Sequence, residues 1–224
     1  MTQKRTTTVL SSPDLPPQAE LAAFPGQPLS ASQPYRGMLF AAHDLSGPPT
    51  PGLSFTEVIL NKTLARNARW RDLHLRDVRF SACDLANVDW LGTQAHRLEI
   101  CDSRLTGANL SESKLTDARF VGCKMDAAAF LHTACVRVRF ENCDLHGANF
   151  EAADLTGVVF SHCNLNAVRF AGAKLKQTDF RSSELQNIDA AATDFRGAII
   201  APAHAIEVVT LAGVTVQSPT EAEP

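Results

Sequence analysis

The sequence predicts an all-β fold, a four-sided parallel β-solenoid of about seven coils, and three observations predict it. Of the fifteen aromatic residues, all but Phe24 stand at positions divisible by five, from Tyr35, Phe40 and Phe55 to Phe195. Every fifth position from Leu60 to Ile200 is apolar, and the residue two before each of these centres is uncharged. None of the 35 charged residues between 58 and 202 occupies either position, so both sets point into a common interior.

A period of five fits neither the helix, with 3.6 residues per turn, nor the two-residue alternation of a plain strand. It needs a backbone that turns a corner every five residues, with two side chains inward and three outward. The glycines of 58–202 (Gly92, Gly107, Gly122, Gly147, Gly157, Gly172, Gly197) all stand two residues after a centre. A tight turn there needs positive φ, which glycine adopts without steric cost. Four corners close a square, so the coil repeats every twenty residues. One column then reads Phe80, Ile100, Phe120, Phe140, Phe160, Phe180, and the next Leu85, Leu105, Met125, Leu145, Leu165, Leu185. Like residues stacked on like are what parallel coils paired in register produce. A leucine-rich repeat lacks the five-residue sub-period and needs an Asn column that is absent here.

Special residues divide the chain. Nine of the twelve prolines lie in 1–51 and none between 52 and 201, so the unbroken solenoid is 58–202. Residues 1–33, rich in Ser, Thr, Pro and Gln, are expected to form a disordered arm. Residues 34–57, where the loop 46–54 interrupts the register, are expected to form an N-terminal cap or irregular first coil. Pro202 and Gly213 bracket a short helix, so 203–217 reads as a C-terminal helix and short strand, with 218–224 a tail. Ile206, Val209 and Leu211 give the helix an apolar side, and Val214 and Val216 the strand. This segment covers the last coil or joins two copies as a homodimer.

With 224 residues, 45% of them hydrophobic, and a net charge of −3, the chain can fill a core and lacks the basic excess of a direct nucleic-acid binder. No apolar run is long enough to span a membrane, and the N-terminus has no secretory core, so a cytoplasmic protein is expected. Cys83, Cys123, Cys143 and Cys163 share one inward column with Thr63, Ser103 and Ser183, and read as small core residues. Neither a zinc-ligand spacing nor a phosphate loop occurs, and the seven histidines scatter over the faces. No catalytic residue, metal or cofactor is expected. Cys101 faces outward as the one thiol positioned to react.

Charge is the remaining signal, with 18 basic and 17 acidic residues in 58–202. Arg66, Arg69, Arg71 and Arg76 gather near the first coils, and Asp179, Glu184, Asp189 and Asp194 near the last. With the outward Leu91 and Leu131 they are the candidate partner surface. Phe140→Asp is expected to collapse its coil. Arg137→Asp, at an outward position, is expected to leave folding intact.

The pentads CDLAN (83–87), ANLSE (108–112), CDLHG (143–147), ANFEA (148–152), ADLTG (153–157), CNLNA (163–167) and TDFRG (193–197) resemble the A-D/N-L-x-x pattern of the pentapeptide-repeat family. The resemblance covers 58–202 and implies a right-handed quadrilateral β-helix. Members of similar plan bind DNA gyrase or topoisomerase IV as DNA mimics and protect them from inhibitors, a form of antibiotic resistance. The terminal LAGVTV resembles their apolar closing segment. Two non-enzymatic functions therefore follow: protection of a topoisomerase, or a general protein-interaction scaffold with an unrelated partner. A continuous acidic stripe favours the first, and charges alternating on every face favour the second.

Overall fold

The computed structural model describes residues 9–217. Five eight-residue strands carry the stack: β4 (Ser54–Asn61), β5 (His74–Ser81), β6 (Gln94–Cys101), β7 (Lys114–Val121) and β8 (Ala134–Glu141). Before them come β1 (Ala22–Ala23), β2 (Tyr35–Arg36) and β3 (Met38–Ala41), and after them β9 (Val159–Ser161). From β3 to β9 each strand pairs in parallel with the next at an offset of twenty residues, as in Leu60 with Phe80 and Phe120 with Phe140. The chain turns four corners per coil. Side one is centred on Leu60, Phe80 and Ile100, side two on Leu85 and Leu105, side three on Trp70 and Trp90, side four on Phe55 and Leu75. The long strands cross from side four into side one. Sides two and three pair through single bridges such as Asp84 with Arg104 and Asp89 with Asn109.

The two inward residues per side fill the interior. Phe120, Phe140, Phe160 and Phe180 stack with centroids 4.8, 5.0 and 5.4 Å apart and rings within 10° of parallel. Phe130 and Phe150 stack at 4.7 Å in the facing column and meet Phe140 edge-on. Both arrangements suit the aromatic quadrupole. The inward hydroxyls are satisfied by carbonyls, as in Thr133 Oγ1 to Leu110 O at 2.8 Å and Thr178 Oγ1 to Leu155 O at 2.7 Å. Cys123, Cys143 and Cys163 make the corresponding longer contacts with Ile100, Phe120 and Phe140 carbonyls.

Positive φ recurs two residues after nearly every centre, as the glycine positions predict, but other residues hold it too: Asn87 at +55°, Asp117 at +53°, Arg137 at +53°. At Gly107 (φ +65°) a β-carbon would meet Asn87 Oδ1 at 2.4 Å, and that amide bonds Asn67 from the next coil. Gly107→Ala is therefore expected to cost about 1–2 kcal/mol, read as a lowered thermal midpoint. An unchanged midpoint would show that the corner absorbs the methyl group freely.

The N-terminal region departs from expectation. From residue 9 onward, the part of 1–33 read as a disordered arm folds against the solenoid, while residues 1–8 lie outside the described residues. Ala22 and Ala23 pair in parallel with Met38 and Leu39 at an offset of sixteen residues, and Phe24 stacks on Phe40 at 4.2 Å. Phe24, the one aromatic out of register, thus tops the side-one column through a coil four residues short. The loop 46–54 does not break the register either. Thr50 and Gly52 donate to Arg69 and Arg71 carbonyls as a regular third side does, and Leu53 is buried.

At the other end, Pro202–His204 forms a 3-10 turn leading into α1 (Ala205–Leu211). His204 is buried, its Nε2 2.9 Å from the Ser183 carbonyl, and Nδ1 accepts from the Ala201 N–H. Glu207 Oε1 accepts from the Ile188 N–H at 3.1 Å. These contacts occupy backbone groups of the last coil that no further coil pairs. The helix face is rotated from the expected one: Val208 and Leu211 pack on the core, whereas Ile206 (61% exposed) and Val209 point outward. Residues 214–217 form no strand, and Val214 and Val216 are exposed. The tail 218–224 lies outside the described residues.

Candidate interaction surface

With the interior filled, the side chains open to solvent are those at the three outward positions of each side. They are organised by charge pairing between coils. On side one, Glu99 lies between Arg79 and Arg119, and Arg119 reaches on to Glu141 at 2.6 Å. On side two, Arg66 holds Asp84 at 2.6 Å, and on side three Arg71 holds Asp89 at 2.6 Å. Exposed pairs of this kind contribute little each. Where they occur, they set opposite charges side by side on neighbouring coils.

The corner between sides four and one is different, because two of its carboxylates, Asp77 and Asp117, are buried. Positions 57, 77, 97, 117 and 137 read Glu, Asp, Arg, Asp, Arg. Arg97 clasps Asp77 with two nitrogens, and Arg137 clasps Asp117 with Nε and Nη2, both at 2.6 Å. Asp77 and Asp117 also accept backbone N–H groups from Asp14 (2.8 Å) and Ser11 (3.2 Å). The N-terminal segment therefore runs along this corner as a strap. Three residues of extended chain and two coil spacings both measure about 10 Å, so the strap's N–H groups match alternate coils. The Arg137 guanidinium holds the Asp117 carboxyl below the usual carboxylate range despite burial, helped by the Ser11 N–H. Arg137, itself partly exposed, is thus the partner of a buried carboxylate, and with this contact in place Arg137→Asp is expected to destabilise the fold.

Beside the strap, side four carries an open groove of about 410 Å³, lined by Ser54, Thr56, His74, Arg76, Gln94, His96, Lys114 and Thr116 over Phe55, Leu75 and Ala95. No carboxylate lines it. Column arithmetic places His74, Gln94 and Lys114 in one outward row and Arg76, His96 and Thr116 in the other, so this grouping was available from the sequence.

The surface expected from the sequence is dispersed. Arg66 is on side two, Arg69 and Arg71 on side three and Arg76 on side four. Asp179 pairs with Arg181 at 2.7 Å on side one, and Asp189 lies 3.5 Å from Arg169 on side three. Glu184 accepts from Asn166 on side two, and Asp194 accepts the Ala191 and Gly172 N–H groups as part of the terminal turn. Leu91 and Leu131 are half-buried, with the buried Ser111 between them. Of these residues only Arg76 lines the groove.

Cys101 is also reassigned. Burial, with Glu99 and Asp102 alongside, pushes its thiol up to about 11, and burial pushes Cys135 up to about 12. The thiolate is the nucleophile, so neither is activated. The neighbouring Cys143, together with burial, raises Cys123 and Cys163 as well. Among the described residues no three His, Cys, Asp or Glu side chains are grouped to hold a metal ion. No helix among them is long and apolar enough to cross a membrane.

Two family models match the chain: a pentapeptide repeat region over residues 133–201 and pentapeptide repeats (8 copies) over 103–134. No curated protein matches it. Among solved structures, the chain is similar to full-length QnrB1, a plasmid-mediated fluoroquinolone resistance protein, at 13% identity. That match covers 83% of this chain and 100% of QnrB1, with a TM-score of 0.37. HetL, a pentapeptide repeat protein involved in heterocyst differentiation regulation from the cyanobacterium Nostoc sp. strain PCC 7120, is 19% identical. It matches over 74% of this chain and 85% of its own, with a TM-score of 0.33.

Proposed function

Residues 103–201 belong to the pentapeptide-repeat family, and on that premise we propose that the chain is a non-catalytic rod that binds a partner protein through its outer faces. One observation carries this reading: the interior is filled column by column, so every side chain free to meet another molecule stands outward on a stiff ladder with a spacing of about 4.8 Å. Among the described residues the side-four groove is open to solvent, unlike the enclosed apolar site that small substrates prefer. The exposed Ile206, Val209, Val214 and Val216 at the C-terminal end form the apolar edge through which two copies would associate.

Protection of gyrase or topoisomerase IV by duplex mimicry is the most specific form of this reading. A mimic presents carboxylates in a continuous row, whereas the long rows here alternate them with guanidinium groups. The alternation favours a scaffold with an unrelated partner. Purified gyrase is therefore expected to keep full supercoiling activity at roughly tens of micromolar folded protein, with no rescue from quinolone-stabilised cleavage. Inhibition or rescue at micromolar protein would establish the topoisomerase target instead.

A further inference from the structure

We propose that the side-four groove beside the strap binds an extended, acidic segment of a partner protein. This deepens the reading of the chain as a binding rod and rests on it. The groove presents Arg76 and Lys114 with His74 and His96, and no carboxylate lines it. On the strap side the nearest carboxylates are already engaged: Glu57 by Arg36, Asp77 by Arg97 with Arg76 Nε 3.9 Å away, and Asp117 by Arg137. Asp72 and Glu112 stand on the corner row of the other flank. Lys114 has no carboxylate within ion-pair distance among the described residues, and Arg76 has only the long contact with an Asp77 that Arg97 already holds.

The strap shows how a chain lies on this part of the surface. It is extended, its N–H groups meet every second coil, and it brings its own carboxylate, Asp14, close enough to act on Arg97. One row over, the groove repeats that spacing with Lys114 in no ion pair among the described residues. From Ser54 to Lys114 it spans four coils, about 14 Å, or four to five extended residues. Side chains at alternate positions of such a segment face one way, so two carboxylates would meet Arg76 and Lys114, while His96 Nε2 already faces the Arg97 guanidinium at 3.0 Å.

A nucleic-acid strand is the less favoured occupant. Single-strand binders offer aromatic faces for base stacking, and here no large aromatic side chain is exposed among the described residues. The protein's overall charge of −3 also opposes a polyanion as long as a nucleic acid.

The test uses the full chain and fluorescence anisotropy. The probes are a labelled decapeptide of alternating Glu and Gly, its Gln counterpart, and a labelled decathymidylate. The Glu peptide is expected to bind and the Gln peptide not to. The double variant Arg76→Glu/Lys114→Glu is expected to weaken binding by about tenfold or more at about 0.15 M salt. Lys62→Glu/Lys124→Glu, with the same charge change on sides one and two, is expected to change it less than about twofold. A variant whose thermal melt shifts is replaced by Arg76→Gln/Lys114→Gln. Equal weakening in both double variants, no binding of the Glu peptide, or decathymidylate binding with the same groove dependence would each overturn the proposal. A partner protein that crosslinks to sides one to three while the Glu peptide fails to bind would sink the groove and leave the binding rod standing. Failure of every face to crosslink a partner would sink both.

Discussion

Phe140→Asp is expected to abolish the folded solenoid, giving a chain that aggregates or shows no cooperative melt. Phe140 is fully buried between Phe120 and Phe160, and the rings of Phe130 and Phe150 abut its edge. Removing a buried phenylalanine costs about 3–5 kcal/mol on its own. A carboxylate placed there has no partner, because every inward position in its coil and in the neighbouring coils is uncharged, and an unpaired buried charge adds several kcal/mol more. The sum reaches the roughly 5–15 kcal/mol by which domains are stable. Circular dichroism and size-exclusion chromatography provide the check. A monodisperse Phe140→Asp protein with the parent's melting curve would overturn the inward register.

The second large effect is expected at Arg137→Asp. It replaces the partner of Asp117, whose side chain is only 3% exposed, with a second carboxylate. A buried ion pair broken from one side leaves an uncompensated charge, so the midpoint is expected to fall by roughly 10 °C. Arg36→Asp, which breaks the exposed pair with Glu57, is expected to move it by about 2 °C or less. Acid gives an independent signature. In the parent, the carboxyl of Asp117 is depressed below its unfolded value. Its contribution is therefore fully present above about pH 4 and is lost as the pH falls through the folded pKa. In the variant the carboxyl has lost the charge that depressed it. The gap between the two proteins is accordingly expected to narrow below about pH 4. A gap that stays constant down to about pH 3 would show that Arg137 supports the fold through packing rather than charge.

The solenoid was legible because its rule is local and repeated: Leu60 to Ile200 states the inward position at every fifth residue, and Phe120, Phe140 and Phe160 state the coil length. What was missed has no such repetition. Phe24 completes the side-one column from outside the register, and the contact of Ser11 with Asp117 joins residues 106 positions apart. The alternation of Asp77, Arg97, Asp117 and Arg137 was present in the twenty-residue columns. Its depth was not, because an outward corner is buried only once its guanidinium partner folds over it and the strap lies across it. The groove is likewise written in rows 74–94–114 and 76–96–116, whereas charge density along the chain peaks at the dispersed arginines and carboxylates of the two ends. At α1, periodicity marked an apolar side but not which neighbour it would meet, so Val208 rather than Val209 faces the core.

The shortened first coil limits length. A stack of parallel coils has no intrinsic stopping point, since each finished coil offers the next a complete set of N–H and C=O groups and a half-open aromatic column. Left bare, that end would template another chain and grow as a cross-β fibre. Here the pairing of Ala22–Ala23 at sixteen residues instead of twenty spoils the register for any newcomer, and Phe24 fills the site that a further phenylalanine would occupy. The segment that composition marked as a disordered arm thus closes this end of the stack.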